Sequence, residues 1–509
     1  MKSSIKLVAT LSLGLLAGCG EKYLDLQPVD SVTTGNFYRN ESEAIQATNA
    51  VYGELCRAGQ YNYALWGIGE IMSDNSTTGG GGGGDRPELV QLDNFNIPTT
   101  NFLTTSSAPG IGSGLWGGCY VGIGRANLVI ARVPAITEIT PIIKQRCIGE
   151  AQFLRAKYYF DLVRVYGDVP LVVNPTASLE DALIPRTPAA QVYAQIETDL
   201  QAAYTNLPPS NSGADAGRAT KWAARGLLAK VYLTEGKMTE AADAARDVIT
   251  NSDRRLWANY GDNFKVANEN GQESLFEVQY VNGNNFDNFG FTFNGLGFAG
   301  NEFFAPRGQN LTPQGGYGIN IPEPNFVNGY EAGDLRRDVT IWKPGDAYPA
   351  GSSPSVQPAS MTGSPNGYNC KKWFVGRTNT NIWDSPLNFP VLRLAEVYLI
   401  LAEAAPTDTE GYEALNKVRR RAFGLDMNAP SAAHDLNASN TPNRRDAVIR
   451  ERRYELAFED DRWFDLKRTG QLLTNAHLLA KGIKPFNVVM PIPQQEINVN
   501  PNLRQNDGY

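Results

Sequence analysis

The chain has 509 residues, with 46 Lys and Arg against 53 Asp and Glu and a formal net charge of −7. A mildly acidic balance without a basic stripe argues against nucleic acid as a partner. Only two histidines occur, His434 and His477, which argues against a histidine-ligated metal centre and leaves few candidates for a Ser-His-Asp triad.

At the N-terminus, Lys2 and Lys6 precede an apolar run from Leu7 to Leu16. The run is shorter than the about 20 residues a membrane-spanning helix needs, and its charged start and small-residue end fit a secretory signal. It closes on Leu16-Ala17-Gly18-Cys19, which resembles a bacterial lipobox. Residues 1–18 are therefore expected to be a lipoprotein signal peptide, with Cys19 acylated and its lipid the only membrane attachment. Each buried methylene of such an anchor contributes about 0.8 kcal/mol. Residues 19–40, beginning "CGEKYLDLQPVDSV", are expected to form the lipidated tether. The chain beyond the signal exceeds the about 250–300 residues that one core usually supports, so two subdomains or one core with large insertions are expected.

Residues 41–280 read as an N-terminal helical part. Ala44, Ala47, Val51 and Leu55 recur on one helix face within Glu41 to Gly59. Cys147 to Tyr166 repeats the pattern with Ala151, Leu154, Tyr158, Leu162 and Val165, and Gly167 with Pro170 stops it. Another helix is expected from about Pro188 to Asn206. "RGLLAKVYLTEGKMTEAADAARDVI", Arg225 to Ile249, reads as two helices hinged at Gly236, similar to a tetratricopeptide (TPR) unit. A second such pair is expected at Arg393 to Ala404 and Gly411 to Ala422. An ordinary antiparallel bundle is the alternative.

Residues 281–390 differ, with 17 aromatics and 16 glycines and no lasting helical period. They read as a loop-rich, partly irregular subdomain and a candidate ligand-binding region, since long ordered loops on a rigid scaffold commonly carry binding sites. Residues 391–509 return to helix, notably from Asn443 to Leu473, and end in an extended tail. The predicted fold class is mostly α, with TPR-like helix pairs as scaffold.

Several motifs carry little. "GLGFAG", Gly295 to Gly300, lacks the strand and helix that a dinucleotide fingerprint requires. The glycine run within "IMSDNSTTGGGGGGD" lacks the Gly-Lys-Ser/Thr ending of a phosphate loop and reads as a flexible surface loop. Calcium on Asp74, Asn75 and Asp85 is open, although EF-hand spacing is absent. Glu451, Glu455 and Glu459 are spaced for one helix face, but Arg450, Arg452, Arg453 and Arg462 crowd them. Nearby positive charge lowers a carboxylate pKa, whereas a glycosidase acid needs it raised. The segment is expected to be a salt-bridged structural helix, and no catalytic residue, cofactor or metal is assigned. Cys56, Cys119, Cys147 and Cys370 show no paired spacing, so disulfides and isolated thiols both stay open.

The ordered segments "CGEKYLDLQP", "IGRANLVI", "EAQFLRAKYYFDLVRVYGDVPL", "GRATKWAARGLLAKVYL", "RLAEVYLILAEA", "LNKVRRRA", "ERRYELAFEDDRWFDLKRTG" and "NPNLRQNDGY" together resemble the SusD/RagB family of Bacteroidetes outer-membrane lipoproteins. The resemblance spans nearly the whole chain after the signal. It implies a helical TPR-like fold and a lipid-anchored, outward-facing protein that captures glycans, or peptides in the RagB branch. It also implies a SusC-like TonB-dependent transporter as partner. A surface polysaccharide hydrolase is the third reading. Ligand residues in this family lie in variable loops, so the candidates rest on residue chemistry. One wall is Trp66, Asp74 and Asn75 leading into the glycine run. The other is Trp342 and Tyr348, where proline and glycine break regular structure and an indole can stand at the surface to stack on a sugar.

Overall fold

The computed structural model describes residues 37–509 except 83, 106–113, 283–296 and 378–382. The signal, Cys19, most of the tether and Gly295 lie outside the described residues.

The scaffold is a run of helices in which each packs on its successor. Helix α1 spans Glu41–Tyr52, shorter than its periodicity suggests, and its N-terminus is capped by Asn40, whose side chain accepts from the Glu43 amide. Helices α2 (Leu115–Arg132), α3 (Pro141–Tyr166), α4 (Ala189–Asn206), α5 (Lys221–Glu235) and α6 (Met238–Asn251) come next. Then come α7 (Leu394–Ala404), α8 (Asp408–Ala422), α9 (Arg444–Glu455) and α10 (Arg462–Arg468). From α2 to α9 every helix contacts the next in chain order, including α6 with α7 across 142 intervening residues of other structure. Such nearest-neighbour stacking is the logic of helical repeats, in which each pair hides its apolar face against the following one. The expected hinge is present: Gly236 ends α5 in the left-handed region at φ 78°. Pairs α5–α6 and α7–α8 are the TPR-like units. Among the described residues no helix is long and apolar enough to cross a membrane.

Three short antiparallel strand pairs stitch the irregular part to this scaffold. β1 (Ser76–Gly79) pairs with β3 (Ile319–Pro322), β2 (Ser274–Val278) with β6 (Phe389–Arg393), and β4 (Ile341–Trp342) with β5 (Asn369–Cys370). The β2–β6 pair enters α7 directly, so the sheet and the second TPR-like pair form one piece. One continuous hydrophobic core runs through helices and irregular part alike. A small satellite of Leu311, Trp342 and Tyr348, backed by Phe374, lies apart from it. Among the described residues, Cys56, Cys119, Cys147 and Cys370 are separate, buried, free thiols.

One sequence expectation is corrected here. The segment from Asn443 to Leu473 is not one helix: α9 stops at Glu455, and Phe458 and Asp460 adopt left-handed φ of 62° and 67°. The break admits a single turn of π-helix, Gly67–Ile71. Gly69 is required there, because a Cβ on it would lie 2.3 Å from the Asp460 carbonyl oxygen. Behind Gly69 sits Glu70, fully buried, whose Oε1 accepts from the Asp460 amide at 3.1 Å. Burial pushes its carboxyl up to about 8, opposed by the Lys372 ammonium.

A carboxyl raised in the folded state holds its proton after the unfolded chain has lost it, so this group's contribution to stability falls as pH rises from about 4.5 to about 8. Glu70→Gln should remove that dependence. Its melting temperature should match the wild type near pH 4.5 and exceed it increasingly toward pH 8. A gap that stays constant with pH would mean that Glu70 is ionised in the fold.

Candidate functional site

The five expected ligand residues are all buried. Trp66 is 1% exposed. Its indole Nε1 donates to the Asn62 carbonyl at 3.2 Å, and its ring packs edge-on against Tyr63 and Phe304. The Asp74 carboxylate receives Arg462 through two bonds of 2.7 and 2.9 Å and Asn475 at 2.9 Å. Burial opposes its ionisation, but the Arg462 guanidinium, with Arg453, holds its carboxyl well below the usual range. Asn75 is fully buried and accepts from Arg453 Nε at 2.8 Å. Trp342 is 3% exposed and packs against Tyr348 and Phe374 at 5.3 and 5.6 Å between ring centroids. Tyr348 is buried and donates its hydroxyl to Gln357. Expected as a binding surface, these residues instead form the interior that supports one: Asp74 and Asn75 pin the N-terminal segment to α9 and α10, and Trp342 with Tyr348 makes the satellite core.

The glycine run and the aromatic loop region are nevertheless neighbours, through other residues. Pairing of β1 with β3 sets the glycine run beside the loop that ends in Tyr317. Tyr317, half-buried, stacks on Trp383 at 5.3 Å and 25°. Trp383 lies 4.6 Å from Phe303, which stacks on Tyr63 at 5.3 Å and 15°. Tyr63 in turn stacks on half-buried Phe102 at 5.8 Å. Trp66 lies under this layer, 5.5 Å from Phe303. The Arg86 guanidinium sits 5.2 Å from the Phe303 ring centroid. Beside Tyr317, Arg307 Nη1 donates to Asp85 Oδ2 at 2.8 Å and to the Tyr317 carbonyl at 3.0 Å. Asp85 Oδ2 also accepts from the Gly81 amide at 2.8 Å, closing the glycine turn. Gly81, Gly82 and Gly84 are exposed, and a Cβ on Gly82 or Gly84 would meet only open space.

The result is an aromatic ledge with two half-open rings, Tyr317 and Phe102, and with an arginine–aspartate pair and accessible backbone beside Tyr317. Ring faces attract the C–H surfaces of pyranoses, while guanidinium and carboxylate groups bond hydroxyls. Of the residues weighed for calcium, Asp74 is paired with Arg462 and Asp85 with Arg307, and no group of three or more His, Cys, Asp or Glu that could hold a metal ion occurs among the described residues.

Comparison with known proteins agrees with this architecture. A model of the SusD family matches residues 247–509, and one described as starch-binding associating with outer membrane matches residues 102–233. Over 492 residues the chain is 30% identical to a SusD-like protein of Bacteroides ovatus, covering 92% of this chain and 82% of that one. The chain belongs to the SusD/RagB family. Its fold is similar to that of a laminarin-binding SusD-like protein, at 29% identity and a TM-score of 0.77, over 93% of this chain and all of that one. It is also similar to surface glycan-binding protein A from Bacteroides fluxus, at 25% identity and a TM-score of 0.75, over 92% of this chain and all of that one.

In this SusD-family chain, the residues of the ledge, Tyr317, Arg307, Arg86, Phe102 and Trp383, are not among those the sequence singles out, and Asp85 is weighed only for calcium. A local signal exists for Tyr317, which stands in "GGYG", a single aromatic bracketed by glycines. None exists for Asp85 with Arg307, which are 222 residues apart.

Because Asp74 is structural, Asp74→Ala should act on stability. Removing it leaves buried Arg462 without its carboxylate, a change worth about 3–5 kcal/mol in comparable buried pairs. Urea unfolding should show a midpoint shift of that order. An unchanged midpoint would return Asp74 to the set of ligand residues.

Proposed function

We propose that this protein is a cell-surface glycan-binding lipoprotein. In this reading it captures oligo- or polysaccharide on the Tyr317 ledge and delivers it to a SusC-like TonB-dependent outer-membrane transporter. The observation that carries the reading is the half-open Tyr317 ring, backed by Trp383 and flanked by Arg307 and Asp85 beside the exposed glycines. Similarity to proteins named for laminarin and surface-glycan binding supports it. Attachment is by the lipid on Cys19, at the outer membrane and facing the exterior.

Charge favours an uncharged sugar. Arg307 is already paired with Asp85, and Arg86 lies 3.9 Å from Glu88. A neutral ligand leaves those pairs intact, whereas an acidic one must compete with the carboxylates. Binding without turnover is favoured by the fate of the three glutamates that the sequence offers as a hydrolase's candidate carboxylates. Glu451, Glu455 and Glu459 are buried and paired with arginine or lysine.

The test is affinity of the soluble chain for laminarin, starch, xylan and mannan, alongside a pool of oligopeptides. A bound polysaccharide whose Kd rises roughly five- to tenfold in Tyr317→Ala, the scale of about 1–1.4 kcal/mol for a lost ring contact, supports the reading. Binding of peptides alone would assign the ledge to the RagB-type alternative. Release of reducing ends from a bound polysaccharide would revive the hydrolase.

Anchoring is tested separately. Cys19→Ala should appear in the soluble fraction of the producing cell, whereas the wild type stays with membranes through a high-salt wash. A variant that remains membrane-bound would rule out the lipid as anchor. A mild-detergent pull-down of the wild type should recover a TonB-dependent barrel.

A further inference from the structure

We infer that Glu302 is the positioning residue of this ledge, a buried carboxyl that sets the 312–317 loop so that Tyr317 presents its ring to a saccharide. The inference rests on the reading of the ledge as the binding face and assigns it a part that lies outside the contact surface.

Glu302 lies on the short helix Gly300–Phe304, one residue before Phe303, and is fully buried. A single oxygen of its side chain, Oε1, collects three donors from the loop: the Thr312 hydroxyl at 2.9 Å, the Gln314 amide at 3.1 Å and the Gly316 amide at 3.0 Å. Its backbone carbonyl accepts the Tyr317 amide at 3.0 Å. The loop's other bonds run to its backbone: the Gly315 amide to the Thr312 carbonyl at 3.1 Å, the Gln309 amide to the Gly315 carbonyl at 3.2 Å, the Gly318 amide to the Ala305 carbonyl at 2.9 Å, and Arg377 Nε to the Thr312 carbonyl at 3.2 Å. Gly315, Gly316 and Gly318 take left-handed φ of 87°, 79° and 60°, and a Cβ on Gly316 would lie 2.6 Å from the Pro306 carbonyl oxygen. Glycines permit that tight path but also give the free loop the widest conformational freedom. An anchor from outside the loop must therefore select one path, and Glu302 meets it at both ends and at its centre. The Arg307 bond to the Tyr317 carbonyl then completes the clamp from the solvent side.

Oε2 of Glu302 finds no partner among the described residues, and burial pushes the carboxyl up. What the loop takes from Glu302 is the acceptor oxygen Oε1, which a glutamine amide also supplies. That separates the two variants. Glu302→Gln keeps the acceptor, and Glu302→Ala removes it.

The experiment compares the wild type, both variants, Tyr317→Ala and the double variant Glu302→Ala/Tyr317→Ala in the full chain. Amide hydrogen exchange is read over residues 312–318, with α7 as internal control. Exchange in the loop should accelerate at least about tenfold in Glu302→Ala and stay near wild type in Glu302→Gln, with α7 unchanged in both. Affinity is then measured for whichever of laminarin, starch, xylan and mannan the wild type binds. Glu302→Ala should weaken binding about as much as Tyr317→Ala, and the double variant should lose no more than Tyr317→Ala alone, because the carboxyl acts through that ring. Unchanged loop exchange, exchange that rises equally in α7, or losses that add in the double variant would each overturn the inference. If none of the four polysaccharides binds the wild type, or Tyr317→Ala leaves affinity intact, the binding face itself is misassigned and the role of Glu302 falls with it. If Tyr317→Ala weakens binding and Glu302→Ala does not, only the inference fails.

Discussion

The interaction on which the rest depends is the buried knot of arginines around Glu455. Its carboxylate receives Arg421 at 2.5 Å, Arg393 at 2.9 Å and Arg336 at 3.3 Å. Burial opposes its ionisation, but the guanidinium of Arg421, with Arg393 and Arg336, holds its carboxyl well below the usual range. Arg393 and Arg421 both also reach Glu273, and Arg393 together with Lys372 reaches Glu459. These groups come from distant parts of the chain: the β2 edge, β6, α8, α9 and the irregular part. Taken singly, buried ion pairs add little to stability, since desolvation consumes most of their attraction. Taken together, they fix geometry, because moving any one element strands a charge in low dielectric. This knot is why α9 ends where it does: the chain must turn after Glu455 for Glu459 to reach Arg393.

From that knot the aromatic ledge is hung by short links. The turn after Glu455 admits the π-turn at Gly67–Ile71, the π-turn leads to Asp74, and Asp74 is held by Arg462 at the start of α10. Two residues later β1 begins, and its pairing with β3 places the glycine run beside Tyr317. The scaffold helices α1 to α10 contribute no residue to the ledge except through this relay. A regular array supplies stiffness, and an irregular insertion supplies shape. The exposed part is confined to Tyr317, Phe102 and the glycine run, resting on Tyr63, Phe303 and Trp383 of the core.

The parts of this design that depend on local order are legible in the amino-acid sequence. The helices within 147–166, 225–249, 393–404 and 411–422 announce themselves by apolar period, and Gly236 by its place between two such periods. The parts that depend on distant pairing are not. Asp74 next to glycines reads like a residue at a loop mouth, and only Arg462, 388 residues away, makes it interior. Trp66 reads as an aromatic near a flexible loop, and its burial comes from Phe303 and Phe304. Trp342 between strand and turn is ambiguous in the same way, since proline and glycine break regular structure at a surface and over a small core alike. Glu451, Glu455 and Glu459 are ion-paired, as the crowding of arginines implies, but they do not share one helix face. Their spacing fits a helix while their partners require a turn.

The same chemistry serves opposite ends at the two sites. In the knot, arginines direct their donors inward onto carboxylates that cancel their charge. At the ledge, Arg307 is paired through Nη1 alone, and its Nη2 and Nε make no hydrogen bond among the described residues. A guanidinium has five donors in a fixed plane, so a carboxylate on one corner orients the others without exhausting them. Asp85 thus aims Arg307 and neutralises it at once. Donors held in this way can meet hydroxyl oxygens beside the Tyr317 ring at little cost in ordering, and the neutral pair does not draw anions. On the proposed reading, preorganisation of this kind would let a shallow, half-open surface hold a flexible polymer, whose own ordering already opposes binding.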